Sequence, residues 1–218
     1  MSNIVIQKFG GTSLADTKRF KAVAKIIKET SETGKKVVAV VSAMAGETQR
    51  LIDLAKGVQE IPDPREYDAL ISSGEQVSVA LLAMSLRSEN LKSKSYTAFQ
   101  LGLRTDDYHG KARISSIDTK NLLMDISSNI TPVITGFQGI NEEGDITTLG
   151  RGGSDTSAVA LAVALNAEEC QIYTDVNGVY TTDPNVYEKA KKIDKLTFEE
   201  MLEPVSYTHL TLPTILLV

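Results

Sequence analysis

The chain has 218 residues, a formal net charge of −5 and 42% hydrophobic residues, enough for one large domain or two small ones with a proper core. The acidic balance argues against a nucleic-acid-binding surface, and a single cysteine, Cys170, rules out an intrachain disulfide and fits a reducing compartment. The opening MSNIVIQKF lacks the apolar length of a signal peptide and no stretch approaches the roughly 20 apolar residues of a membrane span, so a cytoplasmic protein without a membrane partner is expected.

Residues 3–9 form a β-rich run that Gly10 and Gly11 stop. From Ser13 to Thr30 the spacing predicts a helix, with Phe20, Val23, Ala24 and Ile27 on one face and lysines kept off it. The continuous apolar run 36–44 predicts a parallel strand buried on both faces. Helices are predicted over 48–58 and 66–87, the second with Leu70, Val77, Leu81 and Met84 on its buried stripe. Residues 94–99 and 112–117 read as strands and 118–128 as a helix started by Asp118. Strands at 131–139 and 169–175 flank an apolar helix within 149–166. Strands alternating with helices predict an α/β fold, a three-layer sandwich around a mainly parallel sheet. In such sheets ligands bind beyond the carboxyl ends of the strands. Four loops fall there: KFGGTS, SAMAGET, the long segment ending in GRGGSD, and TDVNGVYTTDPN.

Each loop has a plain reading and a functional one. In KFGGTS, Lys8 ends a strand and Gly10 and Gly11 open a helix, which describes either an anion cradle or a tight turn with a solvated lysine. Ser154 and Asp155 suit a helix cap, but a cap does not explain Arg151 or the paired glycines Gly152 and Gly153. Glu75, in SSGEQ, sits beside a core face, either on a solvated turn or aimed inward to bind an amine. Arg151 would complement an inward Glu75 by clamping a carboxylate, and the two together would describe an amino-acid site. Tyr180 offers a stacking surface for a base, although Asn177-Gly178 is also an ordinary turn. Asp106, Asp107 and His109 read as a polar loop or a lid rather than a metal site, because no second histidine or cysteine lies near. Cys170 reads as a small buried residue rather than a nucleophile.

Taken together and in this order, KFGGTS, VVSAMAGET, SSGEQVS, GFQGINEEGDITTLGRGGSDTSA and TDVNGVYTTDPN resemble the aspartokinase members of the amino acid kinase family, over roughly residues 3–203. The resemblance implies ATP-dependent phosphorylation of the side-chain carboxylate of L-aspartate. That nucleophile is already ionised at neutral pH, since an unperturbed aspartate side chain titrates at about 3.9, so no general base is required. The enzyme must supply positioning and positive charge. By resemblance Lys8 supplies the charge with the amides of Gly10 and Gly11, and Asp155 orients it. Arg151 clamps the α-carboxylate and Glu75 the α-amino group, while Ser42, Thr48 and Ser154 hydrogen-bond substrate or phosphate. Lys8, Gly11, Thr12, Ser13, Thr174, Asp175, Tyr180 and Asp183 hold the nucleotide. Mg2+ is carried by ATP, with no protein metal site.

The likeness stops after TFEEMLE (197–203), where Pro204 ends a helix that the family continues. Residues 204–218 are expected to be foreign to the family: an extended, apolar, aggregation-prone end. A second phosphate-binding lysine and the regulatory ACT domains lie beyond this point in the family, and full-length members are expected to be homo-oligomers. The chain as written is therefore expected to show little turnover, and measurable aspartyl hydroxamate from aspartate, ATP and hydroxylamine would contradict that. Asn185 stands where many relatives carry arginine after TDP.

Overall fold

The computed structural model describes residues 3–173 and, beyond them, only the backbone of three short strands. In chain order the elements are β1 (Ile4–Phe9), a 3₁₀ turn (Gly11–Leu14), α1 (Thr17–Glu32), β2 (Lys36–Val41), α2 (Glu47–Val58), α3 (Pro64–Ile71) and α4 (Ser73–Ser88). Then come β3 (Ser93–Tyr96), α5 (Ala98–Leu101), β4 (Leu103–Thr105), β5 (Ile114–Ile117), α6 (Lys120–Ser127), β6 (Thr131–Thr135), β7 (Gln138–Ile140), β8 (Ile146–Thr148), α7 (Gly153–Ala164) and β9 (Glu169–Tyr173). The three backbone-only strands are β10 (Val179–Tyr180), β11 (Lys192–Ile193) and β12 (Thr214–Leu217).

The main sheet has the order β12-β9-β1-β2-β6-β3, with every pairing parallel except that of β12 with β9. β1 is buried along its whole length, as a strand covered on both faces must be. Alternation then divides its side chains. Ile4 and Ile6 join Val38, Val40, Ile134 and Ile172 in a core closed by α6 and α7, through Leu122, Ile126, Ala158 and Leu161. Phe9 joins Val37, Ala39, Val41 and Val133 in a second core, closed by Phe20, Val23, Ala24 and Ile27 of α1 and Val79, Leu82 and Leu86 of α4. The α1 stripe is the one its spacing predicts, and Asp16 starts the helix by accepting the Arg19 N–H at 2.9 Å. The result is the α/β/α sandwich.

Several boundaries differ from expectation for identifiable reasons. The predicted long helix 66–87 begins earlier, at Pro64, because Asp63 accepts the N–H groups of Arg65 and Glu66 ahead of a proline suited to the first turn. It is also broken at Ser72, whose carbonyl is diverted to the Gln138 side-chain amide at 2.9 Å. The break re-phases α4: Glu75, Ser78, Val79, Leu82 and Leu86 face inward, while Val77 and Met84, expected inside, are 48% and 56% exposed. Apolar residues surround α4, so periodicity alone picks no face. Contrary to the expectation that no stretch was long and apolar enough, the run Pro64–Ser88 meets the length and composition of a membrane span; half of the window is buried inside the protein.

The predicted strand 131–139 is two strands. β6 ends at Thr135, the chain turns at Gly136 and Phe137, and β7 joins a second sheet of order β5-β4-β7-β8. The predicted strand 112–117 belongs to this sheet as well. Phe137 takes φ +68°, uncommon for an aromatic residue, held by a bond from its N–H to Ser157 Oγ and one from Leu149 N–H to its carbonyl. Gly139 admits the crossing of the strands, since a Cβ there would lie 2.3 Å from Thr105 Cγ2.

Candidate active site

β9, β1, β2 and β6 are adjacent and parallel, so their carboxyl ends share one edge, where the loops that follow β1, β2 and β6 gather. The fourth predicted loop, TDVNGVYTTDPN, lies outside the described residues but for the backbone of β10. Lys8 lies on the face of β1 turned to α7, in register with Val40 and Ile172. Its ammonium meets Asp155 Oδ1 at 2.7 Å, with both side chains largely buried. Among the described residues no hydrogen-bond partner satisfies that oxygen, which leaves the lysine as its counter-ion.

Asp155 comes from the first turn of α7. The helix begins at Gly152, at φ +71°, and no side chain caps it. Ser154 and Asp155 are thus inside the helix rather than at its cap, and the cap reading of that loop is corrected. Of its first three N–H groups, that of Gly153 donates to the Gly150 carbonyl at 3.1 Å and that of Asp155 to the Gly152 carbonyl at 2.9 Å, which leaves the Ser154 N–H without a backbone acceptor among the described residues. α2 starts the same way, at Gly46 with φ +78° and no side-chain cap, with Thr48 half-buried in its first turn. The close fit of α7 to β6 needs small residues. A Cβ on Gly136 would fall 2.7 Å from Ser154 Cβ, and one on Gly153 would fall 2.9 Å from Leu149 Cβ.

The Gly10-Gly11 turn divides its labour differently from expectation. The Gly10 N–H donates to the Tyr173 carbonyl at 3.1 Å, extending the pairing of β1 with β9, and is therefore not an anion donor. Gly11 opens a 3₁₀ turn, where a first N–H has no intrahelical acceptor. A Cβ on Gly11 would press on the Ala43 carbonyl at 3.0 Å, so glycine lets the β1 and β2 loops touch. Thr12 is exposed and Ser13 half-buried, its N–H donating to the Gly10 carbonyl. Ser42 is half-buried, its N–H spent on the Phe9 carbonyl.

Glu75 takes the inward alternative. It is 3% exposed, and its Oε1 accepts the Ala43 N–H at 2.9 Å. Gly74 makes this possible: a Cβ there would lie 2.8 Å from Ala43 Cβ, so only glycine brings α4 this close to the β2–α2 loop. Glu75 Oε2 is buried without a partner, and so is Thr135 Oγ1 at the end of β6. Burial pushes the Glu75 carboxyl up to about 7, against the lowering effect of the Ala43 N–H. A buried acceptor with one empty oxygen is a receptor for a hydrogen-bond donor. Arg151 stands exposed in the turn between Gly150 and Gly152, both at positive φ, and has no side-chain partner among the described residues.

Of the sequence-predicted residues, the structure brings Lys8 together with Asp155, and Gly11 and Glu75 to the same residue, Ala43. Arg151 stands exposed without a side-chain partner among the described residues, and the roles of Gly10, Ser154 and Asp155 are adjusted as above. Thr174, Asp175, Tyr180 and Asp183 lie outside the residues whose side chains are described. Cys170 is buried, its thiol pushed up to about 12 by burial, and is no nucleophile at neutral pH. No group of three acidic, histidine or cysteine side chains able to hold a metal occurs among the described residues. Sequence reasoning missed Thr135 and Asp68. A threonine ending a strand and an aspartate inside a helix carry no local signal.

A largely buried lysine–aspartate pair thus lies at the start of α7, at the carboxyl edge of a parallel sheet, and the buried carboxylate of Glu75 lies against the β2–α2 loop. The chain belongs to the amino acid kinase family, whose model matches residues 3–214. Within that family it is similar to aspartate kinases. The aspartate kinase of Stutzerimonas stutzeri is 56% identical over 203 residues, which cover 93% of this chain and 49% of the relative. The crystal structure of aspartate kinase from Synechocystis matches with a TM-score of 0.78 at 43% identity, over 93% of this chain and 33% of that one. Aspartokinase III of E. coli, in complex with aspartate and ADP, matches with a TM-score of 0.80 at 30% identity, over 94% of this chain and 56% of that one. The chain spans about half the length of the curated relatives it matches.

Proposed function

We propose that this fold binds L-aspartate and ATP and serves transfer of the γ-phosphoryl group to the aspartate side-chain carboxylate. The product is 4-phospho-L-aspartate, and the reaction is the first step towards lysine, threonine and methionine in the cytoplasm. The reading is carried by the Lys8–Asp155 pair at 2.7 Å, set against the uncapped start of α7. Phosphoryl transfer to a carboxylate that is already ionised needs no base; it needs fixed positive charge where the transferring group passes. Lys8, the Gly11 N–H and the α7 start supply it, and Asp155 fixes the ammonium. Glu75 takes the α-ammonium group on its empty oxygen, and Arg151 closes over the α-carboxylate as a two-toothed clamp. Ser42, Thr48 and Ser154 add hydrogen bonds. Thr12, Ser13, Thr174, Asp175, Tyr180 and Asp183 belong to the nucleotide side. Mg2+ arrives with the phosphates, held mostly by them and by water. In this reading residues 3–203 carry the site; the sequence after 203 departs from the aspartokinase pattern, although the family model extends to residue 214, and full-length members are expected to be homo-oligomers without nucleic-acid or membrane partners.

Ligand protection of the folded chain tests the proposal. Mg-ATP and L-aspartate are each expected to raise the thermal midpoint, by several degrees at a concentration about a hundred times the dissociation constant. L-Glutamate, one methylene longer, is expected to protect far less. Equal protection by L-glutamate would move the assignment to another amino acid kinase, and no protection by Mg-ATP would end the kinase reading.

A further inference from the structure

Asp68, on α3, is completely buried, yet lies outside the site just described. Four donors surround its carboxylate. His109 Nδ1, the Gly110 N–H and the Thr148 N–H bond Oδ2 at 3.0, 2.9 and 3.0 Å, and the Thr148 hydroxyl bonds Oδ1 at 2.7 Å. All four are N–H or O–H groups that use the oxygens' lone pairs, so the cluster offers a cation nothing. Burying a carboxylate is costly, and an apolar side chain would fill the same place more cheaply.

What the four donors share is their neighbourhood. His109 and Gly110 belong to the loop between β4 and β5, and Thr148 ends β8 one residue, Leu149, before the Gly150-Arg151-Gly152 turn. The Ala112 N–H ties that loop to the Thr148 carbonyl at 2.9 Å, and a Cβ on Gly150 would lie 3.2 Å from the Gly110 carbonyl. Asp68 therefore holds the loop against the segment that carries Arg151. Through the α3–α4 connection, itself pinned by Gln138 at Ser72, the same stretch of chain carries Glu75 seven residues on.

We infer that Asp68 is a positioning residue: it sets Arg151 in register with Glu75, and so fixes the spacing of the carboxylate and ammonium groups an α-amino acid must present. The inference rests on the amino-acid reading above for its ligand, though not for its geometry. Asparagine can reproduce the arrangement, its oxygen accepting from His109, Gly110 and Thr148 N–H while its amide donates to the Thr148 hydroxyl. Alanine cannot.

The test uses amide hydrogen exchange together with calorimetric binding of L-aspartate and ATP. In Asp68→Ala, exchange at Gly110 and Thr148 is expected to rise about tenfold or more while β1 and β2 keep their protection. L-Aspartate affinity is expected to fall about tenfold to a hundredfold, with ATP affinity unchanged. Asp68→Asn should restore both. His109→Ala, which keeps the carboxylate and three of its donors, is the second variant should alanine at 68 not fold, and should weaken L-aspartate about threefold to tenfold with ATP unaffected. The inference is overturned if protection falls equally across β1 and β2, if ATP and L-aspartate weaken together, or if asparagine does not rescue. Should the unmodified chain bind no L-aspartate, the amino-acid reading fails, and exchange at Gly110 and Thr148 in the alanine and asparagine variants still decides the positional claim.

Discussion

Lys8→Met is expected to cost about 3 kcal/mol of folding stability and to lower ATP affinity by about a hundredfold. Methionine matches the shape of the lysine stem but strands Asp155, whose largely buried carboxylate has the ammonium as counter-ion at 2.7 Å. An unpaired buried charge is the more expensive state, so most of the stability loss comes from what is left behind. The double variant Lys8→Met/Asp155→Leu removes both charges and is expected to regain most of the stability and none of the ATP binding. Urea unfolding midpoints and calorimetry separate the two effects. If the double variant were as unstable as the single one, the pair would be a structural contact, and its claim to the phosphate site would weaken.

Glu75→Gln is expected to remove a pH dependence from the chain and to sever amino-acid binding. The folded carboxyl titrates at about 7, against an ordinary value of 4.5. Between these values the folded chain holds a proton that the unfolded chain has released. The stabilisation is therefore complete below pH 4.5 and disappears as pH rises through 7, a total of about 3 kcal/mol at about 1.36 kcal/mol per tenfold in proton affinity. Above pH 7 the wild-type chain carries a destabilising buried anion, and the glutamine variant is expected to be the more stable by about 2–3 kcal/mol at pH 8. Retaining such a group is what a binding site does at the expense of the fold. The same titration gives binding a sign. An ammonium ligand favours the ionised carboxylate, so L-aspartate should bind more tightly at pH 8 than at pH 6. Near pH 6.5 it should release a proton, visible as a binding enthalpy that differs between phosphate and Tris buffers. A buffer-independent enthalpy at that pH would place the ammonium elsewhere.

Much of this molecule is legible in its sequence, for physical reasons that also explain the failures. β2 is legible because a strand covered on both faces is a continuous apolar run, although it ends at Val41 rather than Met44; β1 is legible from its β-rich run up to the glycines, and α1 because Phe20, Val23, Ala24 and Ile27 sit on one stripe with lysines opposite. Glycines marked the ligand edge because an uncapped helix start and a close loop approach both demand them, as at Gly152 and Gly74. α4 misled because its apolar residues surround the helix, and a single diverted carbonyl at Ser72 changed which of them face the sheet. The second sheet was invisible because β7 and β8 are three residues each, below the length at which alternation shows. The role of the Gly10 N–H could not be read because its acceptor, the Tyr173 carbonyl, is brought up by a strand more than 160 residues away. Asp68 was silent because its four donors come from the β4–β5 loop and from the end of β8, both distant in sequence, and local pattern carries no record of a long-range hydrogen bond.

On the proposed function, Glu75 and Arg151 receive the two α-substituents of an amino acid beside a phosphate site at Lys8. Succinate differs from L-aspartate only by lacking the α-amino group, so a calorimetric comparison of the two at pH 7.5, with Mg2+ and a non-hydrolysable ATP analogue present, tests that claim most directly. A site built around the empty Glu75 oxygen should reject succinate by at least about a hundredfold, because the carboxylate would be left buried and unpaired. Succinate binding as tightly as L-aspartate would contradict the account.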